Sequence, residues 1–325
     1  MAYAIAIAIT ACLIQLVEEV ALGSGRALIE ALVIAILLGM AARSVIGLPQ
    51  RFASGVGFTA RQVLEFAVLM LGVRINAQDV VRAGPLLLAM IVILVLLSLI
   101  ASSRIGAAFG LNPRLATLVA VGNSICGNSA IAAVAPVIGA SKEDVASSVS
   151  LTAVLGVLIV LSLPVFYYVL GFSQYQYGVL AGMGVYAVPQ VVAAGYSVSP
   201  LSGDTATLVK LVRVLMLGPV VVYFTLRAGA GKNTKLRVSK LVPWFIAGFV
   251  LMAVLRSIGL IPVDVVNVLR DVSTCLTIAA MAALGLQVDF SAVRAVGRSV
   301  ALAVICSLVV LITLSVIGIK LIVGV

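Results

Sequence analysis

Apolar runs about as long as a bilayer is thick recur from one end of this 325-residue chain to the other. As an α-helix, a run of about 20 apolar residues spans roughly 30 Å of hydrocarbon. With 63% hydrophobic and only 10% charged residues, the chain is predicted to be an all-α polytopic membrane protein with one membrane domain, 1–325. The pattern predicts eleven spans, at residues 3–17, 25–42, 61–75, 84–103, 113–139, 144–170, 176–196, 203–227, 241–256, 264–286 and 292–320. The first run has no Lys or Arg before it and is interpreted as a retained span, not a cleaved signal peptide.

Positive residues concentrate in alternate connections between these spans. The even-numbered connections hold twelve Lys and Arg residues and the odd-numbered ones hold five. This is the bias that cytoplasmic loops show, so the basic run 228–240 is predicted to be a cytoplasmic loop. The net charge of +10 therefore does not indicate a nucleic-acid partner.

The residue inventory argues against several kinds of chemistry. The chain has no histidine, and its four cysteines lie in apolar segments without paired spacing, so neither a disulfide framework nor a metal site is expected. A nucleophile at Cys126 would need Lys210 or Glu65 as its base, so an enzyme is not expected. No cofactor is expected either. The absence of a nucleotide-binding loop indicates that an ion or substrate gradient supplies the energy.

The chain contains two similar sequence segments at an offset of 213 residues. LMLGVRINAQDVVRAG and AALGLQVDFSAVRAVG align at this offset, as do Pro49 with Pro262 and Gly84 with Gly297. Because the copies lie seven spans apart, they are predicted to run in opposite directions, as units of about 25–170 and 176–325. Inverted repeats of this kind are typical of secondary transporters. Chance similarity between two apolar segments is the alternative.

The stretch GNSICGNSAIAAVAPVIGA, residues 122–140, does not suit an ordinary span. Irregular backbone at membrane depth is tolerated only where it is buried in protein or lines a cavity. We expect the helix to break and to restart around Gly127, Asn128 and Ser129. The N–H groups at such a restart favour an anion. Tight helix packing through small residues is the alternative.

A second interruption and a pair of cations follow. Pro189 and Gln190 punctuate the span 176–196, where a simple proline kink is the alternative to a break. Lys210 and Arg213 then lie three residues apart, on one helix face, where two intramembrane cations are expected to line a cavity. The Arg213 fork suits an oxyanion, and snorkelling to an interface is the alternative for Lys210. Glu65 is the one acid deep enough for a proton carrier, although it could equally pair with a cation.

Four segments carry a family resemblance. SICGNSAIAAVAPVIGA, QVVAAG, KLVRVLMLGP and MAALGL resemble signature segments of the bacterial sulfate exporter family, which is related to bile-acid/sodium symporters and arsenite exporters. The resemblance implies about ten helices in inverted repeats, with a core of broken helices packed on a panel. It also implies alternating access in the bacterial inner membrane. Members carry a His-Glu pair where this chain has Tyr186 and Ala187, so coupling to protons through that pair is lost or moved here.

The resulting hypothesis is a secondary active transporter, an exporter, of a small anion such as sulfate or a small sulfonate. A sodium-coupled organic anion symporter is the alternative, because the oxygens of Asn123, Asn128 and Gln190 would also suit a cation. Expected partners are the anion, a proton or a sodium ion, the lipid bilayer and a second copy of the chain. The candidate substrate-binding residues are Asn123, Ser124, Cys126, Gly127, Asn128, Ser129, Tyr186, Gln190, Lys210 and Arg213.

One topological question stays open at this point. The two broken segments are two spans apart and would run in the same direction, which an inverted pair forbids. Either one of them is re-entrant, or the partner of 113–139 is the span 264–286.

Overall fold

The computed structural model describes residues 1–22, 31–74, 77–227, 244–287 and 297–323, and all regular structure in these ranges is helical. Its longer helices are numbered in chain order: α1 (Ala2–Leu22), α2 (Ala31–Val45), α3 (Gln50–Phe58), α4 (Leu64–Leu71), α5 (Ala77–Ala108), α6 (Pro113–Val121), α7 (Asn128–Ile138), α8 (Lys142–Leu170), α9 (Gln174–Gly184), α10 (Val188–Tyr196), α11 (Pro200–Leu215), α12 (Leu217–Arg227), α13 (Trp244–Ser257), α14 (Val263–Gln287) and α15 (Arg298–Gly318). The predicted all-α fold is confirmed.

Within the described ranges, five segments are long and apolar enough to cross a membrane, which confirms a polytopic membrane protein. They are Gly84–Ala108, Lys142–Leu170, Pro200–Arg227, Val263–Gln287 and Arg298–Val323. Large apolar side chains such as Ile93, Leu97 and Ile100 of α5 are exposed, as expected for a lipid-facing surface.

Local sequence fixes where the central helices begin. The side chain of Asn112 accepts a hydrogen bond from the Leu115 N–H at 2.8 Å, and Pro113 occupies the first turn of α6. Ser141 and Asp144 cap the start of α8 reciprocally. Ser173 and Gln176 do the same for α9. These caps mark where α6, α8 and α9 begin, between neighbouring predicted spans.

The segment from α6 to α7 is a re-entrant hairpin, named hairpin A (residues 113–138). The Asn112 amide, just before α6, donates to the Asp144 carboxylate, just after α7, at 3.0 Å. The chain therefore returns to the side from which it entered, here called the Asn112 face. A π-helical turn, Gly122–Cys126, and Gly127 form its tip.

The segment from α9 to α10 is a second re-entrant hairpin, named hairpin B (residues 174–196). The Tyr177 hydroxyl near its start donates to the Ala194 carbonyl near its end, at 2.8 Å. The Ser202 hydroxyl in α11 donates to the Gln174 carbonyl at 2.9 Å, so α11 begins where α9 begins. Because α8 separates the two hairpins, hairpin B enters from the opposite side, here called the Gln174 face.

These two hairpins correct the prediction that 113–139 and 176–196 are full spans. Both segments are re-entrant, and they point at each other from opposite faces. The prediction was wrong because a hairpin of two half-helices contains as many apolar residues as one crossing helix.

The helices pack in two groups. One contains α1, α2, α3, α4, α13 and α14, and the other contains α5, α8, α11, α12, α15 and both hairpins. Glycines allow close approach within the first group, because a Cβ on Gly39 would lie 2.4 Å from the Ala282 carbonyl oxygen. A Cβ on Gly285 would likewise lie 2.3 Å from the Ile36 carbonyl oxygen. The resulting contact joins α2 to α14.

One helix start repeats at the offset of 213 that the sequence shows. Adding it to Gln50, where α3 begins after Pro49, gives Val263, where α14 begins after Pro262. A tight contact repeats as well. A Cβ on Gly72 would lie 2.3 Å from the Phe249 carbonyl oxygen, and these residues stand 213 positions from Gly285 and Ile36.

Candidate functional site

The tips of the two hairpins meet beside α11, and two buried cations join them. Lys210 and Arg213 are each 0% exposed. The Lys210 ammonium donates to the Ile125 carbonyl at 2.6 Å in hairpin A and to the Val185 carbonyl at 2.9 Å in hairpin B. Lys210 therefore does not snorkel to a surface.

Arg213 makes a wider set of contacts with the same two tips. Its guanidinium donates to the carbonyls of Asn123 at 3.0 Å and Ser124 at 3.2 Å in hairpin A. In hairpin B it donates to the carbonyls of Gly182 at 2.8 Å and of Met183. The guanidinium is thus satisfied by backbone oxygens.

These acceptors lie at the carboxyl ends of the entering half-helices. The last carbonyls of a helix lack intrahelical partners and carry partial negative charge. Here that charge is met by Lys210 and Arg213. Neither cation lines the neighbouring cavity, so the structure places both behind the tips, where they hold the two hairpins together.

The opposite ends of the tips, where α7 and α10 begin, face a cavity of about 60 Å³. One water needs roughly 10–15 Å³ of such space, so the cavity has room for a small polyatomic ion. Its polar lining residues are Asn128, Thr152, Tyr186, Gln190 and Gln287. Among the residues that the structure describes, no charged side chain lines it.

Two amide side chains in the cavity already have partners for their oxygen atoms. The Thr152 hydroxyl has three acceptors in reach, the carbonyls of Ser148 and Val149 at 3.0 Å each and Asn128 Oδ1 at 2.7 Å, and its shortest hydrogen bond is the one to Asn128. The Ala187 backbone N–H donates to Gln190 Oε1 at 3.2 Å. The NH₂ groups of Asn128 and Gln190 are therefore the parts of these amides that are left for a ligand.

Tyr186 supplies a further polar group. Its side chain is 1% exposed, and its hydroxyl has no hydrogen-bond partner. Buried hydroxyls are normally paired, because an unpaired one loses its hydration without compensation. A ligand in the cavity is the kind of partner this hydroxyl lacks.

Gly127 shapes the tip of hairpin A beside Tyr186. Its φ of 65° is one that L side chains rarely adopt, and a Cβ there would lie 3.3 Å from the Tyr186 Cβ. Glycine therefore lets α7 restart directly against hairpin B.

The structure divides the sequence-predicted site residues into three sets. Gly127, Asn128, Tyr186 and Gln190 line the cavity, and Ser129 is exposed next to Asn128. Lys210 and Arg213 bind the tips from behind, and Cys126 is buried beside them at 5% exposure.

Asn123 and Ser124 form the third set. Both are fully buried and face α5, where the Asn123 amide donates to the Ser102 hydroxyl at 3.2 Å. The Ser124 and Ser98 hydroxyls share a hydrogen bond of 2.8 Å. These side chains connect hairpin A to α5 and do not line the cavity.

Glu65 lies apart from the cavity. Its carboxylate accepts a hydrogen bond from the Trp244 indole at 2.7 Å and lies 3.7 Å from the Arg61 guanidinium. Of the two roles proposed for Glu65, the structure shows the pairing with a cation.

Sequence reasoning missed Thr152 and Gln287. Thr152 lies in the apolar helix α8 and Gln287 closes α14, in the other helix group. The sequence offered one signal for Gln287: it is a polar residue within AALGLQVDFSAVRAVG, the second copy of the internal repeat. In the described ranges, no group of three or more His, Cys, Asp or Glu residues could hold a metal ion.

Comparisons with known proteins place the whole chain in one family. Residues 1–304 match the model of the family described as Conserved hypothetical protein 698. The chain belongs to this family.

Relatives in the family are widespread among bacteria. The chain is 50% identical to a UPF0324 membrane protein of Brucella melitensis, over 96% of this chain and 87% of the relative. It is 35% identical to a UPF0324 membrane protein of Bacillus anthracis, over 88% of this chain and 84% of the relative. No solved structure matches the chain. These relatives are named membrane proteins, which agrees with the apolar helices of this UPF0324 family protein.

Proposed function

We propose that this UPF0324 family protein is a secondary transporter of a small anion and that the cavity between the hairpin tips binds the anion. The observation that carries the proposal is the convergence of two helix amino ends, α7 and α10, on one cavity that no acidic side chain of the described ranges lines. Each such end presents unpaired N–H groups and about half a positive charge.

The hydrogen-bonding groups of the cavity support an anion over a cation. The amide oxygens of Asn128 and Gln190 accept from Thr152 and Ala187. A sodium ion needs oxygen ligands, whereas an anion needs donors such as the two free NH₂ groups and the Tyr186 hydroxyl. Lys210 and Arg213 add positive potential from behind without binding the ligand themselves. The sodium-coupled symporter is the less favoured alternative.

The helix arrangement supports alternating access. The helix starts at Gln50 and Val263 and the close contacts of Gly72 and Gly285 repeat at the offset of 213. Together with hairpins that enter from opposite faces, this is what two inverted copies would produce. We infer that the second copy is permuted, because its hairpin, α11 and α12 precede α13 to α15. In this reading, one helix group moves against the other around the cavity.

The exposure pattern supports loading from the cytoplasm. Asn128, Ser129 and Ala132 are exposed along α7, between the tip and the Asn112 face. That face also carries Arg104 and Lys142, because the re-entrant hairpin moves Lys142 to the side with more positive residues. The positive-inside rule makes this side cytoplasmic. The direction proposed on this basis is export, with sulfate or a small sulfonate as the substrate and the bacterial inner membrane as the location.

Several expectations stay predictions. The protein is proposed not to be an enzyme and to need no cofactor. A proton or sodium ion would supply the driving force, and a homodimer in the lipid bilayer stays untested.

The test is counterflow in liposomes. Purified protein is reconstituted with unlabelled sulfate inside, and entry of radiolabelled sulfate is followed for the native chain, Gln190→Glu and Gln176→Glu. Both glutamines accept from a backbone N–H at a helix start, Ser173 for Gln176 and Ala187 for Gln190. The substitution therefore keeps the cap in each case, but only Gln190→Glu places a negative charge in the cavity.

The native chain and Gln176→Glu should show saturable counterflow, which also distinguishes a carrier from a passive channel. Gln190→Glu should lose roughly tenfold or more, because each ~1.4 kcal/mol of lost anion binding is a factor of ten. Counterflow that survives in Gln190→Glu would show that the cavity does not bind the anion. A folded native protein that moves no sulfate would remove sulfate as the substrate.

A further inference from the structure

We propose that Thr152 is a specificity-determining residue, which makes the two hairpin amides, Asn128 and Gln190, a donor-only site that discriminates against anions carrying a proton of their own. This inference rests on the proposed function and concerns selectivity within it. The two relevant ligands are sulfate and hydrogenphosphate, which share shape and charge at about pH 8 but differ by one O–H group.

The orientation of the Asn128 amide is the first step. Asn128 begins α7 at the tip of hairpin A, and an amide in an open position can present either its oxygen or its NH₂ group. The Thr152 hydroxyl, 3% exposed on α8, lies 2.7 Å from Asn128 Oδ1. Since Oδ1 accepts from Thr152, the NH₂ group is the part that a ligand meets.

The Gln190 amide is also oriented with its NH₂ group toward the cavity, in this case by a backbone contact. Its Oε1 accepts from the Ala187 N–H at 3.2 Å, and its side chain is 4% exposed. Gly156 makes room for this amide, because a Cβ there would lie 2.4 Å from Gln190 Oε1. Both hairpins therefore turn an NH₂ group, and not a carbonyl oxygen, toward the ligand.

The consequence concerns the proton of the ligand. A fully deprotonated tetrahedral anion such as sulfate, or a sulfonate, accepts from every donor around it. Hydrogenphosphate must also donate its own O–H, but the oxygens of the two hairpin amides face Thr152 and the Ala187 N–H and not the ligand. A buried donor without an acceptor loses its hydration without compensation, so hydrogenphosphate should bind roughly tenfold or more weakly.

Thr152→Val tests the assignment directly. Valine keeps the branched shape of threonine but removes the hydroxyl, so the Asn128 amide can turn its oxygen toward the ligand. Thr207→Val is the matched control. Thr207 is also 3% exposed, and its hydroxyl donates to the Gly203 carbonyl at 2.8 Å, away from the cavity.

The measurement is competition against radiolabelled sulfate counterflow at about pH 8, with unlabelled sulfate, methanesulfonate and phosphate as competitors. In the native chain and Thr207→Val, phosphate should compete at least about tenfold more weakly than sulfate. In Thr152→Val this ratio should shrink several-fold. A merely structural role for Thr152 would lower all counterflow and leave the ratio unchanged.

Each other outcome has a defined meaning. Equal competition by phosphate and sulfate in the native chain would overturn the donor-only site while leaving anion transport intact. An unchanged ratio in folded, active Thr152→Val would overturn the role of Thr152. Failure of the native chain to move any of the three anions would overturn the proposed function itself.

Discussion

Replacing Arg213 by methionine should destabilise the protein more than any surface substitution of the same kind. The side chain is fully buried and donates to five carbonyls: those of Asn123 and Ser124 in hairpin A, and those of Gly182, Met183 and Val185 in hairpin B. The Val185 carbonyl also accepts from Lys210, so four of the five depend on Arg213. Methionine fills similar space but donates nothing, so these oxygens lose their partner.

The expected magnitude follows from those contacts. A buried acceptor left unpaired costs about 1–3 kcal/mol, so four of them cost at least about 4 kcal/mol. Breaking a buried charged network by removing one partner costs a similar ~3–5 kcal/mol. Both figures are large against a typical total stability of roughly 5–15 kcal/mol.

The assay is thermal unfolding in detergent micelles, followed by circular dichroism and by the monodisperse fraction after heating. Arg213→Met should lower the midpoint by roughly 10 °C, since ~1 kcal/mol corresponds to ~2–4 °C. Arg104→Met, at an exposed position on α5, is the control and should shift it little. Arg213→Lys keeps the charge but loses the fork, and should fall between them. Equal midpoints for Arg213→Met and Arg104→Met would refute the idea that Arg213 holds the tips together.

Two further predictions concern packing and topology. Gly39→Ala should lower the free energy of unfolding by about 1–3 kcal/mol, because its Cβ would lie 2.4 Å from the Ala282 carbonyl oxygen. The measurement is the unfolding midpoint, which should fall. A midpoint equal to the native one would mean that α2 and α14 separate freely. In a chain without its native cysteines, Asn112→Cys with Asp144→Cys should cross-link rapidly, since these side chains lie 3.0 Å apart, whereas Asn112→Cys with Ser173→Cys should not. Cross-linking is detected as a gel shift. If only Asn112→Cys with Ser173→Cys cross-linked, residues 113–138 would cross the membrane as a full span.

Much of the helix inventory could be predicted from the sequence. Apolar runs located the five segments of the described ranges that are long enough to cross a membrane and both hairpin segments, and Gly127 with Pro189 marked the two interruptions. Their re-entrant course could not be predicted, because it depends on a contact between Asn112 and Asp144. These residues lie 32 positions apart, and hydrophobicity carries no information on such a pairing.

The candidate site was predicted in part for a related reason. The sequence shows that Lys210 and Arg213 are charged and share a helix face, but not whether a carbonyl or a ligand meets them. In the structure, backbone carbonyls of α9 and of hairpin A that lack helical partners accept hydrogen bonds from these two side chains. Thr152 gave no signal, because a hydroxyl within an apolar helix usually bonds its own preceding turn.

The position of α14 in the chain has a consequence for biosynthesis. Leu284 and Gln287 wall the cavity, yet they are made some 90 residues after the tip of hairpin B at Gln190. During synthesis both hairpins are complete before α14 is made, and Lys210 and Arg213 of α11 can join them before α14 enters the bilayer. A ribosome-bound chain released before Gln287 would thus contain both tips and lack the wall that closes them. With the proposed function, the cavity would acquire its complete lining only after Gln287 has been synthesised.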